Sequence, residues 1–270
     1  MQEKISFLNQ TLSSLKGRNV VLDMERRKVA FEIEVEGSLL PTGKMPYWLA
    51  VNEGSIPNGI EYVSKKPLNL VHTKKSFEVL NQMLSDSKIK WGANCSTHIH
   101  VNVRLLEFKN LFNFITLLFI FQRVLTDKER YGNSFCSPVT ECAEIFKILK
   151  RILEEENFQI KSLSNDYLKY TNINLSAIGS KGSIEFRGFS GSLDTNLQLK
   201  RARQILTLKN AAQKDFKNPI DILNTVSRLG MDVFLKKYLR LDVEITEEII
   251  SLAWDALINS QVFIFSHQWK

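Results

Sequence analysis

The chain has 270 residues, with 36 Lys and Arg against 29 Asp and Glu, a formal net charge of +7 and a pI near 9.2. A hydrophobic share of 44%, a charged share of 24%, 12 Gly and 6 Pro exclude a disordered or collagen-like chain and allow a sizeable core in one large or two small domains. Cys95, Cys136 and Cys142 include no Cys-x-x-Cys pair and are too few for a disulfide framework, and MQEKISFLNQ is no signal peptide, so a reducing, cytoplasmic setting is expected.

Apolar residues at Ile5, Leu8, Leu12 and Leu15 have helical spacing and predict an opening helix. Strict alternation over Val29 to Glu36 predicts a strand, as do the patterns at Glu61 to Ser64, Cys95 to Val103, Tyr170 to Ile178 and Ser183 to Phe189. Helical patterns run from about Thr73 to Leu84, Leu106 to Leu125, Glu141 to Glu154, Thr195 to Gln213, Ile220 to Arg228 and Thr246 to Asn259. The run Leu111 to Phe121 is the longest apolar stretch and is too short to span a bilayer, which predicts a buried core helix and no membrane partner. Gly179-Ser180-Lys181-Gly182 reads as a hairpin turn, because glycine supplies the positive φ that tight turns need. No repeat or linker divides the chain. The layout predicts an α+β fold with a largely antiparallel sheet and a helical C-terminal part.

Side chains alternate across a strand, so each strand sorts into two faces. In the first, Phe31, Ile33 and Val35 oppose Glu32, Glu34 and Glu36. Further along, Ile99, Val101 and Val103 oppose His98, His100 and Asn102. Asn172 and Asn174 share a face with Tyr170, and Glu185 and Arg187 oppose Ile184 and Phe186. Each pattern alone has an ordinary explanation. A Glu-x-Glu-x-Glu stripe suits the solvated face of a half-buried strand, His-x-His suits two packed imidazoles, and Glu185-x-Arg187 suits a surface ion pair. Together they assemble a face of crowded carboxylates that repel unless cations compensate them. Oxygen-rich ligands with an imidazole point to magnesium or manganese rather than structural zinc. Cations so held could grip nucleotide phosphates and leave an arginine for the moving phosphoryl group. No Walker loop is present to do this instead.

The motifs Phe31-Glu32-Ile33-Glu34, Glu53-Gly54-Ser55, Gly59-Ile60-Glu61-Tyr62-Val63-Ser64, Cys95-Ser96-Thr97-His98-Ile99-His100, Lys169-Tyr170-Thr171-Asn172, Ile184-Glu185-Phe186-Arg187 and Gly191-Ser192-Leu193-Asp194 occur in an order that resembles the amidoligase family. That family is a branch of the glutamine synthetase-like carboxylate-amine ligases. The resemblance spans about Ala30 to Asp194. It implies an antiparallel sheet cupping an active site with helices on its outer face, a catalytic core over 1–194 and a helical part over 195–270 of the same domain. It also implies that ATP, with Mg2+ or Mn2+, phosphorylates a small-molecule carboxylate and that an amine attacks the acyl phosphate. By the same resemblance Glu32, Glu34, Glu61, His98 and Glu185 would ligate metal. His100, Asn102 and Asn172 would lie at the nucleotide, Arg187 would stabilise the transferring phosphoryl group, and Glu53 would handle the incoming amine. Ala30 and Ser96 stand where the family has Gly, and Glu53 where it usually has Asp.

Two other classes fit parts of the sequence. The basic pairs Lys65-Lys66, Lys74-Lys75 and Lys236-Lys237 and the cluster Lys200-Arg201-x-Arg203 suit a nucleic-acid partner, or an enzyme acting on a modified base, although no recognition motif accompanies them. A metal-dependent hydrolase could use the same ligands to activate water. Cys95 lies opposite Ser96, His98 and His100 by strand parity, which predicts packing and not nucleophilic work.

Overall fold

The computed structural model describes residues 28–154, 168–239, 244–266 and 269. The helix expected over Ile5 to Leu15 lies outside them. Seven strands form one sheet among the described residues: β1 (Val29–Ser38), β2 (Trp48–Glu53), β3 (Gly59–Ser64), β4 (Lys88–Lys90), β5 (Ser96–Asn102), β6 (Ile173–Asn174) and β7 (Ser183–Ser190). Their order is β2-β3-β1-β5-β7-β6, with β4 pairing the far end of β1, and every ladder is antiparallel. β1 is central because its two faces differ so sharply. Phe31, Ile33 and Val35 are fully buried on one side while the glutamates collect on the other.

Eight α-helices among the described residues accompany the sheet: α1 (Leu70–Met83), α2 (Phe108–Leu125), α3 (Ala143–Glu154), α4 (Ser176–Lys181), α5 (Thr195–Lys214), α6 (Pro219–Leu229), α7 (Met231–Leu239) and α8 (Glu247–Ile264). α1 covers the apolar face of the sheet, where Phe77 meets both Phe31 and Trp48 edge to ring. α2 has the length and apolarity of a membrane span, yet 15 of its 18 residues are buried against the protein's own elements. Phe112 and Phe119 pack on Phe263 of α8, and Phe121 packs on Phe234 of α7. Its buried Asn113 donates through the side-chain amide to the carbonyls of Ala212 and Phe216, which ties α2 to the end of α5. One hydrophobic core therefore runs from β1 to α8.

The helix starts follow side-chain capping. Asn69, Asp194, Asn218 and Thr246 each accept a backbone N–H of the first turn of α1, α5, α6 and α8, and Pro219 opens α6 with its fixed φ. The Gly-Ser-Leu-Asp motif is thus, in structural terms, the run into the cap of α5.

Two expectations need correction. Gly179 to Gly182 is not a hairpin turn, and the strand expected over Tyr170 to Ile178 is reduced to Ile173–Asn174. The cause is Asn174, whose Oδ1 accepts from the Ser176 amide and hydroxyl and turns the chain into α4. Gly182 ends that helix at φ 67°, a left-handed position, and returns the chain to β7, which still pairs antiparallel with β6. β2, β4 and α7 carry no clear period and were not expected.

A methyl group at Gly182 would overlap the Arg104 side chain and strain the left-handed turn. Gly182→Ala is expected to cost about 1–3 kcal/mol and to lower Tm by several degrees; an unchanged melting curve would show that the turn relaxes freely.

Candidate active site

Antiparallel register decides what faces the β1 carboxylates. Glu34 stands opposite Glu61 of β3, Glu32 opposite His98 of β5, and His100 opposite Glu185 of β7. Residues directly opposite share a face with Cβ atoms about 5 Å apart, so three strand pairs bring the charges together. Glu53, at the end of β2, joins Glu34 and Glu61 from the sheet edge. Three sets of donors result, Glu32 with Glu61 and His98, Glu32 with His100 and Glu185, and Glu34 with Glu53 and Glu61, each with its ligand atoms within 4.8 Å of one another. All of them but His100 line a cleft of about 650 Å³ whose wall holds five carboxylates and the four cations Arg130, Lys169, Lys181 and Arg187.

Second contacts fix the donors. The Ser96 hydroxyl donates to Glu34 Oε2 and lies 2.6 Å from His98 Nε2. His98 Nδ1 faces Glu32 Oε2 and Glu185 Oε1, each at 3.3 Å. A ring nitrogen facing two carboxylate oxygens suits a cation between them, a proton or a metal ion. His100 Nε2 lies 3.1 Å from Glu32 Oε1 and 3.9 Å from Glu185 Oε2, and it is buried without a hydrogen bond. Asn174 donates to Glu185 Oε2 at 2.7 Å, Lys181 donates to Glu32 Oε1 at 2.7 Å, and Arg187 donates to Glu185 Oε1 at 3.0 Å. A donor set of carboxylates and imidazoles with one orphaned ring nitrogen fits a hard divalent cation.

The electrostatics follow position. Burial pushes the Glu61 carboxyl up, and Glu32, Glu34 and Glu53 add to this, giving about 8 although Lys181 opposes. Burial would also raise Glu32, but His100, with help from His98 and Lys181, outweighs it and holds that carboxyl well below the usual range. Glu185 is lowered in the same way, its burial outweighed by His100, His98 and Arg187. The ammonium of Lys181 is raised, since Glu32 more than offsets its burial.

Of the residues singled out in the sequence, Glu32, Glu34, Glu53, Glu61, His98, Glu185 and Arg187 line the cleft, and His100 reaches the same carboxylates. His100, expected beside a nucleotide, therefore lies as near the carboxylates as His98 does. Asn102 and Asn172 are not among the lining residues. Asn102 accepts from the amide and Nε of Arg104, and Asn172 donates to Thr126 beneath the sheet. Asn174, two residues on, occupies the cleft instead. Ser96, Lys181 and Arg130 were missed as site residues; Ser96 and Asn174 could have been found by strand parity, whereas Lys181 and Arg130 carry no periodic signal. The cysteines form no disulfide among the described residues, and the Cys95 thiol turns to the Lys90 carbonyl and is pushed up by burial. Of the cluster Lys200-Arg201-x-Arg203 only Lys200 and Arg203 are exposed, because Arg201 is buried, paired with Asp127 and stacked over Phe189.

Residues 60–204 match the family model described as a putative amidoligase enzyme, which is more than half of the chain. The chain belongs to this amidoligase family. The amidoligase match includes Glu61, His98, His100, Glu185 and Arg187 and begins after Glu32, Glu34 and Glu53, which the β1 and β2 ladders bring into the same cluster. Among solved structures the chain is similar to one titled a crystal structure of a novel glutamine synthase homolog, at 11% identity and a TM-score of 0.37, covering 96% of this chain and 70% of that one. A search of curated proteins found no match.

Glu61 supplies a pH test for the amidoligase cluster. Its folded pKa lies above its unfolded value, so the metal-free native state holds a proton that the unfolded chain has released, and stability falls as pH rises from 4.5 to about 8. Glu32 and Glu185 are lowered and act on the acid side of this window. Glu61→Gln is expected to flatten the slope of Tm against pH and to melt higher than wild type above pH 8, while Mg2+ raises the wild type there. Equal slopes for the two proteins would mean that the crowding is not felt at Glu61.

Proposed function

We propose that this amidoligase family member is an ATP-dependent carboxylate-amine ligase that forms an amide through an acyl phosphate, its sheet cupping the active site. The observation that carries the reading is the convergence, in one cleft, of five carboxylates and His98 with Arg187, His100 reaching two of the same carboxylates. Divalent cations, Mg2+ or Mn2+, held by Glu32, Glu34, Glu61, His98 and Glu185 would neutralise the nucleotide phosphates and the charge that builds during phosphoryl transfer. The chain's own residues do the rest. Ser96 and Asn174 hold His98, Glu34 and Glu185 in orientation, and His100, with His98 and Lys181, keeps Glu32 ionised.

In the first half-reaction a substrate carboxylate oxygen attacks the γ-phosphorus and ADP departs. Arg187 serves this step. Its Nη1 is tied to Glu185 while its Nε is buried without a partner, so part of its planar fork is available to phosphoryl oxygens. In the second half-reaction the amine nitrogen attacks the acyl carbon, phosphate leaves, and a carboxylate takes the ammonium proton. Glu53 suits that role because it sits at the cleft edge, with Oε1 fixed by the Ser55 amide at 2.8 Å. Both substrates are then small molecules.

Calorimetry with Mg2+ is expected to show ATP binding, and Glu185→Gln should weaken metal binding with the fold intact. Arg187→Ala should leave ATP affinity within about tenfold yet reduce turnover roughly a hundredfold, and Arg187→Lys should recover part of the rate, since the interaction strengthens in the transition state. Screening amines and carboxylates for magnesium-dependent ADP release, with mass analysis of the product, decides the class. Release of ADP without an amide product would favour a hydrolase, and a product formed without ATP would defeat the ligase reading.

A further inference from the structure

Arg130 belongs to none of the motifs above, yet it is 3% exposed and lines the cleft. It ends a short 3₁₀ turn, Lys128–Arg130, after α2. Its Nη1 donates to the Ala93 carbonyl at 3.0 Å, while its Nε is buried with no hydrogen-bond partner. Among the described residues no carboxylate lies within ion-pair distance of this guanidinium, whereas the other cleft arginine, Arg187, is paired with Glu185 and the buried Arg201 with Asp127. A buried cation without a counter-charge is costly unless something anionic meets it in the working protein.

The wall that carries Arg130 is built rather than loose. Asn133 donates to the same Ala93 carbonyl at 3.3 Å, the Cys136 amide returns to the Asn133 carbonyl, and the Ser137 amide binds the Tyr170 carbonyl. Arg187 lines the same cleft. The cleft thus has a carboxylate side that suits cations and an arginine side that suits oxyanions.

We propose that Arg130 is a substrate-binding residue that, beside Arg187, holds the oxyanion of a bound substrate. The proposal rests on the ligase reading, in which that oxyanion is either the γ-phosphoryl group of the nucleotide or the carboxylate of the acid. Three titrations of the full chain with Mg2+ separate these sources: ADP, the non-hydrolysable analogue AMP-PNP, and benzoate against protein loaded with AMP-PNP. Arg130→Gln is expected to bind ADP within about twofold of wild type and to lose roughly tenfold or more in one of the other two titrations, with Arg130→Lys between them. A loss in AMP-PNP assigns the nucleotide phosphoryl group, and a loss in benzoate alone assigns the acid carboxylate. Affinities for AMP-PNP and benzoate equal to wild type in both variants overturn the proposal, as does a lowered Tm with those affinities unchanged, the mark of a strut to Ala93. If Arg130→Gln fails to fold, Arg130→Lys alone decides, since it keeps the charge and lacks the fork. A wild-type protein that binds neither nucleotide defeats the ligase reading itself, and that result is visible before any variant is made.

Discussion

Mutual repulsion among five carboxylates on one face of a sheet is the constraint around which the molecule is arranged. Glu32, Glu34 and Glu185 are all less than a tenth exposed, so water cannot screen them and each must find a positive or polar partner. Two imidazoles and Ser96 of β5, Asn174 of β6, Lys181 of α4 and Arg187 of β7 provide those partners. Glu61, with the least compensation, is the one pushed up. The cluster is balanced but not saturated, a state suited to taking up cations.

Such a cluster needs a scaffold that cannot yield. Antiparallel ladders fix β3, β1, β5 and β7 side by side, and the apolar face beneath is locked by Phe31, Trp48 and Phe77. α2 does the same in the helical layer, where its aromatic side chains interlock with α7 and α8. Because interiors are close-packed, a shift of β1 toward relief of its charges would open voids on the other side. Packing energy thereby holds like charges together.

Much of this was legible because charge alternates with bulk along β1, β5 and β7, and a period of two both names the strand and sorts its faces. The acidic and imidazole side chains could be assigned to one surface for that reason. Local hydrogen bonding was harder to see. Asn174 diverts the chain into α4, so a stretch with strand composition became a helix that delivers Lys181 to Glu32, 149 positions away in sequence. Arg130 reaches the cleft from a turn with no period at all, and its place depends on a carbonyl at Ala93. Asn102 and Asn172 had suitable parity, but nearer partners, Arg104 and Thr126, claimed their amides.

The β5–β7 ladder contains an irregularity. Thr97 pairs with Phe189 and Ile99 with Phe186, so Arg187 and Gly188 together face His98. This is a bulge on β7, and it reverses the parity of the strand beyond it. Phe186 and Phe189 can therefore both enter the core, their rings 4.7 Å apart, although three positions separate them. Gly188 leaves room for the Thr126 hydroxyl, which a methyl group there would meet at 2.5 Å. A single deletion at this point would straighten the strand at the expense of its orientation, turning Phe189 toward the carboxylates. The segment thus cannot change in length, and its extra residue acts as an indexing tooth that lets β7 engage β5 in one position only.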